Sequence, residues 1–148
     1  MTRARDLADW GDQVPNAETA WTSYTPTITN FTLGNGTVTA RYKLIGKTLL
    51  LQCKIVFGST SSISGSPIFY MPFSAKISNM QGTANILIQD FGTAYYKAMS
   101  ADGAGNYFYI YAESANGTYV RDIGISSTVP MTWASTDYFI INGTYEAA

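Results

Sequence analysis

The strictest constraint on this chain lies in Thr37–Ile45, where apolar and polar side chains alternate through Leu44 without a break. Val38, Ala40, Tyr42 and Leu44 fall on one face and Thr39, Arg41 and Lys43 on the other, a period of two that predicts a half-buried strand. Gly46-Lys47 then places glycine at the first central position of a two-residue turn, the type II′ arrangement, and residues 48–57 return as a second strand. Pairing Ile45 with Thr48 sets Leu44 opposite Leu49, Tyr42 opposite Leu51, Ala40 opposite Cys53 and Val38 opposite Ile55. Both strands then send their apolar side chains to one face, and a slip of one residue would expose them all. Their burial is worth on the order of 10 kcal/mol before chain entropy offsets most of it.

The opposite face of this hairpin carries Thr39, Arg41, Lys43, Leu50, Gln52, Lys54 and Val56, a basic and partly apolar strip. Two readings are open: a solvated sheet face with stray hydrophobics, or a subunit contact made by Arg41, Lys43, Leu50, Lys54 and Val56. Charged residues make up 13% of the chain, about half the usual share of roughly 25%. So few charges keep little surface wet, which favours part of it being covered by other chains.

The rest of the pattern repeats short strands. Residues 27–33 read as a strand joined to Thr37–Ile45 through Gly34-Asn35-Gly36, a hairpin-type turn. A Ser-rich loop over 59–66 precedes a short strand at 68–71, with Pro67 and Pro72 marking an edge or a strand end. Further strands follow at 84–91, 93–99, 106–112, 119–125 and 137–145, with turns at Gly92, Asp102-Gly103 and Asn116-Gly117. About eight or nine strands at this spacing predict an all-β fold, an antiparallel, jelly-roll-like β-sandwich. At 148 residues the chain suits one such domain. Ahead of it, Thr2 caps a possible short helix over 3–10, with Ala4, Leu7 and Ala8 on one side and Gly11 as its stop, and 14–22 read as a linker. The expected organisation is an attachment segment and linker at 1–20 and a head domain at 21–148. A helix this short is marginal alone and needs a partner.

Several chemistries fall away. The chain has no histidine, which removes Ser-His and Cys-His nucleophilic pairs and histidine metal sites, and its one cysteine, Cys53, can form neither an intrachain disulfide nor a structural zinc site. Asp90, Asp102, Glu113, Asp122 and Asp137 are the carboxylates available for a glycosidase pair, but they form no recognisable motif, and Asp102 suits its Asp-Gly turn. GNG and GAG lack the helix a phosphate-binding loop needs. No enzyme activity, cofactor or metal is expected. A net charge of −1 and a pI near 5.2 argue against nucleic acid, and no apolar run reaches the roughly 18 residues needed to insert in a membrane. The opening MTRARDLADWGDQ has no apolar run after its basic residues, so synthesis in a cytoplasm without secretion is expected. Asn30, Asn35, Asn116 and Asn142 begin Asn-x-Thr sequons, three of them Asn-Gly-Thr, and read as turn and strand chemistry.

Tyrosine is the residue that stands out. Tyr95, Tyr96, Tyr107, Tyr109, Tyr111 and Tyr119 cluster in the second half, and flat apolar rings carrying hydroxyls can stack on sugars and hydrogen-bond them. The competing reading is that tyrosine simply packs well in sheets. Trp21 and Trp133 read as plugs at the ends of the core.

The stretch WTSYTPTITNFTLGNGTVTARYKLIGKTLLLQCKIVFGSTSS, starting at Trp21, together with the C-terminal MTWASTDYFIINGTYEAA, resembles the C-terminal head domains of tailed-bacteriophage tail-fibre and minor tail proteins. The specific parts are Tyr24-Thr25-Pro26, LGNGT at 33–37, ARYKLIGK at 40–47, Gly58-Ser59-Thr60 and NGTYE at 142–146. The resemblance implies a homotrimer of β-sandwich heads on the exterior of a virion tail or capsid, bound to other phage virion proteins and contacting a bacterial surface glycan or protein. TRARDLADW is similar to segments that recur at junctions of such fibres, which makes Arg3, Arg5, Leu7 and Trp10 candidates for virion attachment. Receptor contacts in these heads lie in loops that vary with the host, so the resemblance assigns no binding residue here. A non-adhesive decoration protein and a glycan depolymerase are the alternatives.

Overall fold

A computed structural model describes residues 20–77, 84–101, 105–115 and 117–148. Among them the chain is all-β, with ten strands: β1 Thr22–Tyr24, β2 Ile28–Thr32, β3 Thr37–Ile45, β4 Thr48–Val56, β5 Ser62–Tyr70, β6 Ala84–Asp90, β7 Ala94–Ala101, β8 Tyr107–Ser114, β9 Arg121–Gly124 and β10 Tyr138–Glu146. The expected helix over 3–10, the attachment residues Arg3, Arg5, Leu7 and Trp10, the Asp102-Gly103 turn and Asn116 lie outside the described residues.

The β3–β4 hairpin has the register the alternation dictates, from Ile45↔Thr48 through Leu44↔Leu49 to Val38↔Ile55. Gly46 sits at φ 58° and Lys47 is not at positive φ, as a type II′ turn requires. Leu49, Leu51, Cys53, Ile55 and Ala40 are buried, with Val38, Tyr42 and Leu44 packed against them.

All strands belong to one antiparallel sheet, ordered β1-β3-β4-β10-β6-β7-β8-β5-β2, which curls into a half-barrel. The free edge of β8 is shared, its first half pairing β5 and its second half β9. Hydrogen bonding thus runs through a single sheet, and two separate sheets of a sandwich are not what the ladder forms. The concave side holds the core, in which Phe69 of β5 stacks on Phe108 of β8 at 5.0 Å and Phe57 meets Phe139 of β10 at 5.5 Å. Trp133 plugs this core as expected: it stacks on Phe57 at 4.8 Å, and its indole N–H donates to the Ser126 carbonyl at 2.9 Å. The two ends of the ladder are blunted against further pairing, since β1 has only three residues and β2 bulges at Asn30, which adopts φ 58°.

Three local expectations are corrected. Gly34-Asn35-Gly36 makes a tight turn, with the Gly36 N–H on the Leu33 carbonyl at 2.9 Å, but β2 and β3 do not pair. Asn35 is held instead by the loop after β4: its backbone N–H donates to Thr60 Oγ1 at 2.9 Å, its Nδ2 to Ser59 Oγ at 3.0 Å, and its Oδ1 accepts from the Thr60 N–H at 3.0 Å. Ser61 Oγ closes the joint by donating to the Leu33 carbonyl. Gly58 is needed there because a Cβ would run into the Asn35 backbone and side chain. With the turn tied down, β2 arches across to pair β5. The Ser-rich stretch is mostly strand, since Pro67, which has no N–H to donate, is buried in β5 between Ile68 and the part of the ladder where β2 bulges. Finally, Asn142-Gly143-Thr144 lies inside β10, Asn142 and Gly143 paired with both β4 and β6 and Thr144 with β4, and forms no turn.

The loop into β10 is fixed by a buried carboxylate. Asp137, 1% exposed, accepts from the Phe91 N–H at 3.0 Å and the Ala134 N–H at 2.6 Å, tying the β6–β7 turn to the start of β10. This use accounts for one of the carboxylates considered for catalysis. Asp137→Ala strands two donors, each costing roughly 1–3 kcal/mol when buried, so the variant should lose about 2–4 kcal/mol of unfolding free energy in urea. A loss below about 0.5 kcal/mol would show that the carboxylate does not hold this junction.

Candidate binding surface

The convex side of the sheet follows from the same registers. Side chains pointing away from the core line up across neighbouring strands in rows: Thr37, Val56, Tyr138, Gln89 and Tyr95 in one, and Thr39, Lys54, Ile140, Leu87 and Lys97 in the next. A third row runs Arg41, Gln52, Asn142, Asn85, Met99 and Tyr111, and a fourth begins Lys43, Leu50 and Thr144. All five residues expected at a subunit contact lie on this face, Arg41 and Lys54 exposed and Lys43, Leu50 and Val56 half-buried. The Lys54 ammonium sits 4.4 Å from the Tyr138 ring centroid.

At the end of this face away from Val56, a groove of about 330 Å³ opens, bordered by Trp21, Leu50, Gln52, Asn85, Asn142 and Thr144. Its polar side is a consequence of register, because Asn142 of β10 stands directly between Gln52 of β4 and Asn85 of β6. Arg41 braces it: Nε and Nη2 donate to Gln52 Oε1 at 2.9 and 2.7 Å, while the guanidinium lies 4.8 Å from the Trp21 ring centroid. Trp21 therefore belongs to the outer surface and does not plug the core as its composition suggested. The carboxamides of Asn85 and Asn142 make no hydrogen bond to another described side chain or backbone group.

The tyrosines divide. Tyr107, Tyr109 and Tyr111 occupy alternate positions on the outer face of β8, in ring contact at 5.7 and 6.0 Å, and Tyr70 of β5 extends the row through a 5.4 Å contact with Tyr107. Tyr107 beside it pushes the Tyr109 phenol above its ordinary value. Tyr95 shares the outer face and is 66% exposed, whereas Tyr96 points inward and packs on the core, which removes it from the surface. Tyr119, 82% exposed, lies before β9, outside the strands.

Composition pointed to the tyrosines but missed Tyr70, whose strand was expected at 68–71 but whose pairing beside β8 only the strand order shows. It also missed the amide row, which only strand order can bring together, since Gln52, Asn85 and Asn142 are far apart in sequence. No protein-family model, curated protein or solved structure matches the chain.

Three buried groups, Cys53, Tyr145 and Tyr24, are held neutral at ordinary pH. Burial pushes the Cys53 thiol up to about 12 and the Tyr145 phenol up to about 12, and it raises Tyr24 as well. A thiol held so far above neutrality is no nucleophile. Glu113 and Asp122 are opposite each other in the β8–β9 register and exposed, at the end of the outer face reached by the tyrosine row.

Because Cys53, Tyr24 and Tyr145 stay neutral in the fold while the unfolded chain releases their protons, the unfolded state binds fewer protons at high pH. Their contribution to stability is complete below about pH 9, the ordinary value for the thiol, and is lost as pH rises toward about 12. Urea unfolding measured across that window should show a falling midpoint, and Cys53→Ala should flatten the earliest part of the fall. A midpoint constant up to pH 11 would contradict the burial of these groups.

Proposed function

We propose that this chain is a structural and adhesive component of a bacteriophage virion, a trimeric tail-fibre or minor tail head that contacts the host-cell surface. One observation supports the reading most: the outer face of a sheet whose concave side is already filled carries half-buried Leu50, Val56, Leu87 and Ile140 beside basic Arg41, Lys43, Lys54 and Lys97, a row of touching tyrosines and an amide-lined groove. Large apolar and aromatic side chains gathered on an outer face mark a contact surface. Two of the five motifs that carry the resemblance, LGNGT at 33–37 and Gly58-Ser59-Thr60, also meet in space, through the bonds of Asn35 to the Ser59 and Thr60 hydroxyls and the Thr60 N–H.

In this reading the two halves of the curled sheet act as the layers of a jelly-roll-like sandwich, helped by the edge-on packing of Phe31 on Phe57 at 5.2 Å. Subunits meet through the strip around Lys54, Val56, Tyr138 and Ile140, and Tyr70, Tyr107, Tyr109 and Tyr111 face the host. Residues 1–20 attach the head to other virion proteins on the tail or capsid exterior. A depolymerase reading has one observation in its favour, the cross-strand placement of Glu113 and Asp122. Release of reducing ends from host capsule, abolished by Glu113→Gln, would establish it in place of pure adhesion.

Light scattering on the full chain should give about 48 kDa, three times the 16.1 kDa chain mass, and Val56→Asp should shift the population toward monomer. A monomer for the unaltered chain at working concentrations would overturn the trimer. Tyr107→Ala with Tyr109→Ala should lower adsorption of the labelled protein to host cells by about tenfold or more, as loss of aromatic anchors does. Unchanged adsorption would remove the tyrosine row from the contact, and absence of adsorption by the unaltered protein would favour a decoration role.

A further inference from the structure

We propose that the groove bordered by Trp21 binds a neutral carbohydrate of one or two pyranose units. The inference deepens the adhesive reading and rests on it only for where such a sugar is met, at a cell surface.

Size sets the first limit. About 330 Å³ is at the lower end of the roughly 300–1,000 Å³ of ligand sites, enough for a short ligand and too little for a large one. Charge sets the second, because no charged side chain lines the groove among the described residues. Arg41 stands beside the groove and not in its lining, with Nε and Nη2 donating to Gln52 Oε1 and its plane near the Trp21 ring, so an anion such as phosphate seated among the amides meets no cation in the groove wall. The third limit is topological. Along the amide row β4, β10 and β6 are each paired on both edges, at Gln52, Asn142 and Asn85, so an extended peptide lying across these amides has no strand edge to join.

What remains matches a sugar. Gln52, Asn142 and Asn85 stand side by side on adjacent strands, and at a spacing near 4.8 Å they cover about 10 Å. Each carboxamide presents donors and an acceptor together, the combination that a sugar hydroxyl, itself donor and acceptor, requires. Gln52 has its oxygen held by Arg41 and keeps its amide protons for a ligand. Asn85 and Asn142 have no competing partner among the described residues, and Thr144 adds a hydroxyl. Trp21 and Leu50 supply the apolar border on which the C–H face of a pyranose can rest. An apolar ligand would leave these amides unpaired at a cost. Because the amides stand on interior strands, little ordering is needed when a ligand arrives.

The test is a titration of the full-length, ¹⁵N-labelled protein with the methyl glycosides of glucose, galactose, mannose and N-acetylglucosamine, each to about 100 mM, far above a millimolar Kd. At least one should shift the side-chain amide signals of Asn85 and Asn142 saturably. Asn142→Asp and Asn85→Asp, which keep the shape but lose the donors and add charge, should each weaken it about fivefold or more while the backbone spectrum stays native. Tyr109→Ala should leave the affinity unchanged. The inference is overturned if none of the glycosides shifts these signals, if the shifts fall on the tyrosine row instead, or if only methyl glucuronide, included as an anionic control, binds. Adsorption to host cells without glycoside binding would sink the groove alone, whereas glycoside binding without adsorption would sink the adhesive reading and leave the groove standing.

Discussion

The structure depends on where its last strand goes. β10 inserts between β4 and β6 and pairs with β4 along Tyr138–Glu146 and with β6 from Tyr138 to Gly143, joining the early hairpin to the middle of the chain. Without it, β1, β3 and β4 would be a separate three-stranded piece with an apolar face open to water. With it, Ile141 and Phe139 enter the core between Cys53 and Ile55 on one side and Ile86 and Ile88 on the other, all of them buried. Such pairing is non-local, and the loop closure it demands precedes the burial that rewards it. The carboxylate of Asp137 therefore matters beyond its own bonds, because it fixes where β10 starts.

The same insertion creates the outer surface. Register is inherited across strands, so once β10 is seated by its core-facing side chains, its outward residues are placed with no further freedom. Asn142 stands between Gln52 and Asn85 because Ile141 is buried between Cys53 and Ile86. The groove and the core are thus two sides of one set of pairings, and a change that shifted the core register would dismantle the amide row.

Much of this was legible in the sequence wherever pattern and turn chemistry agreed. The β3–β4 register could be written residue by residue because strict alternation and Gly46-Lys47 gave the same answer. In β8 the sequence alternates Tyr107, Tyr109 and Tyr111 against Phe108, Ile110 and Ala112, and the fold follows that period, burying the second set. The errors arose where a long-range partner decided. Gly34-Asn35-Gly36 has hairpin residues, yet Ser59 and Thr60 capture Asn35 and turn it into an arch, and no local pattern reports that. Pro67 looked like a strand end, but the bulge at Asn30 in β2 removes the need for its missing N–H. The closure of the strands into one curled sheet depends on β8 contacting β7, β5 and β9 together, which composition cannot express. For the same reason the tyrosine row was visible in part and the amide row was invisible.

The most direct test of β10 as the organising strand is native-state hydrogen exchange, residue by residue. Amides of Phe139, Ile141 and Tyr145 and their partners in β4 should exchange only through global unfolding, with a free energy equal to that from urea, while the short or bulged edge strands β1 and β2 exchange sooner. Exchange of the β10 amides through a lower-energy opening, with β3 and β4 still protected, would contradict the account, since the sheet would then hold together without its central strand.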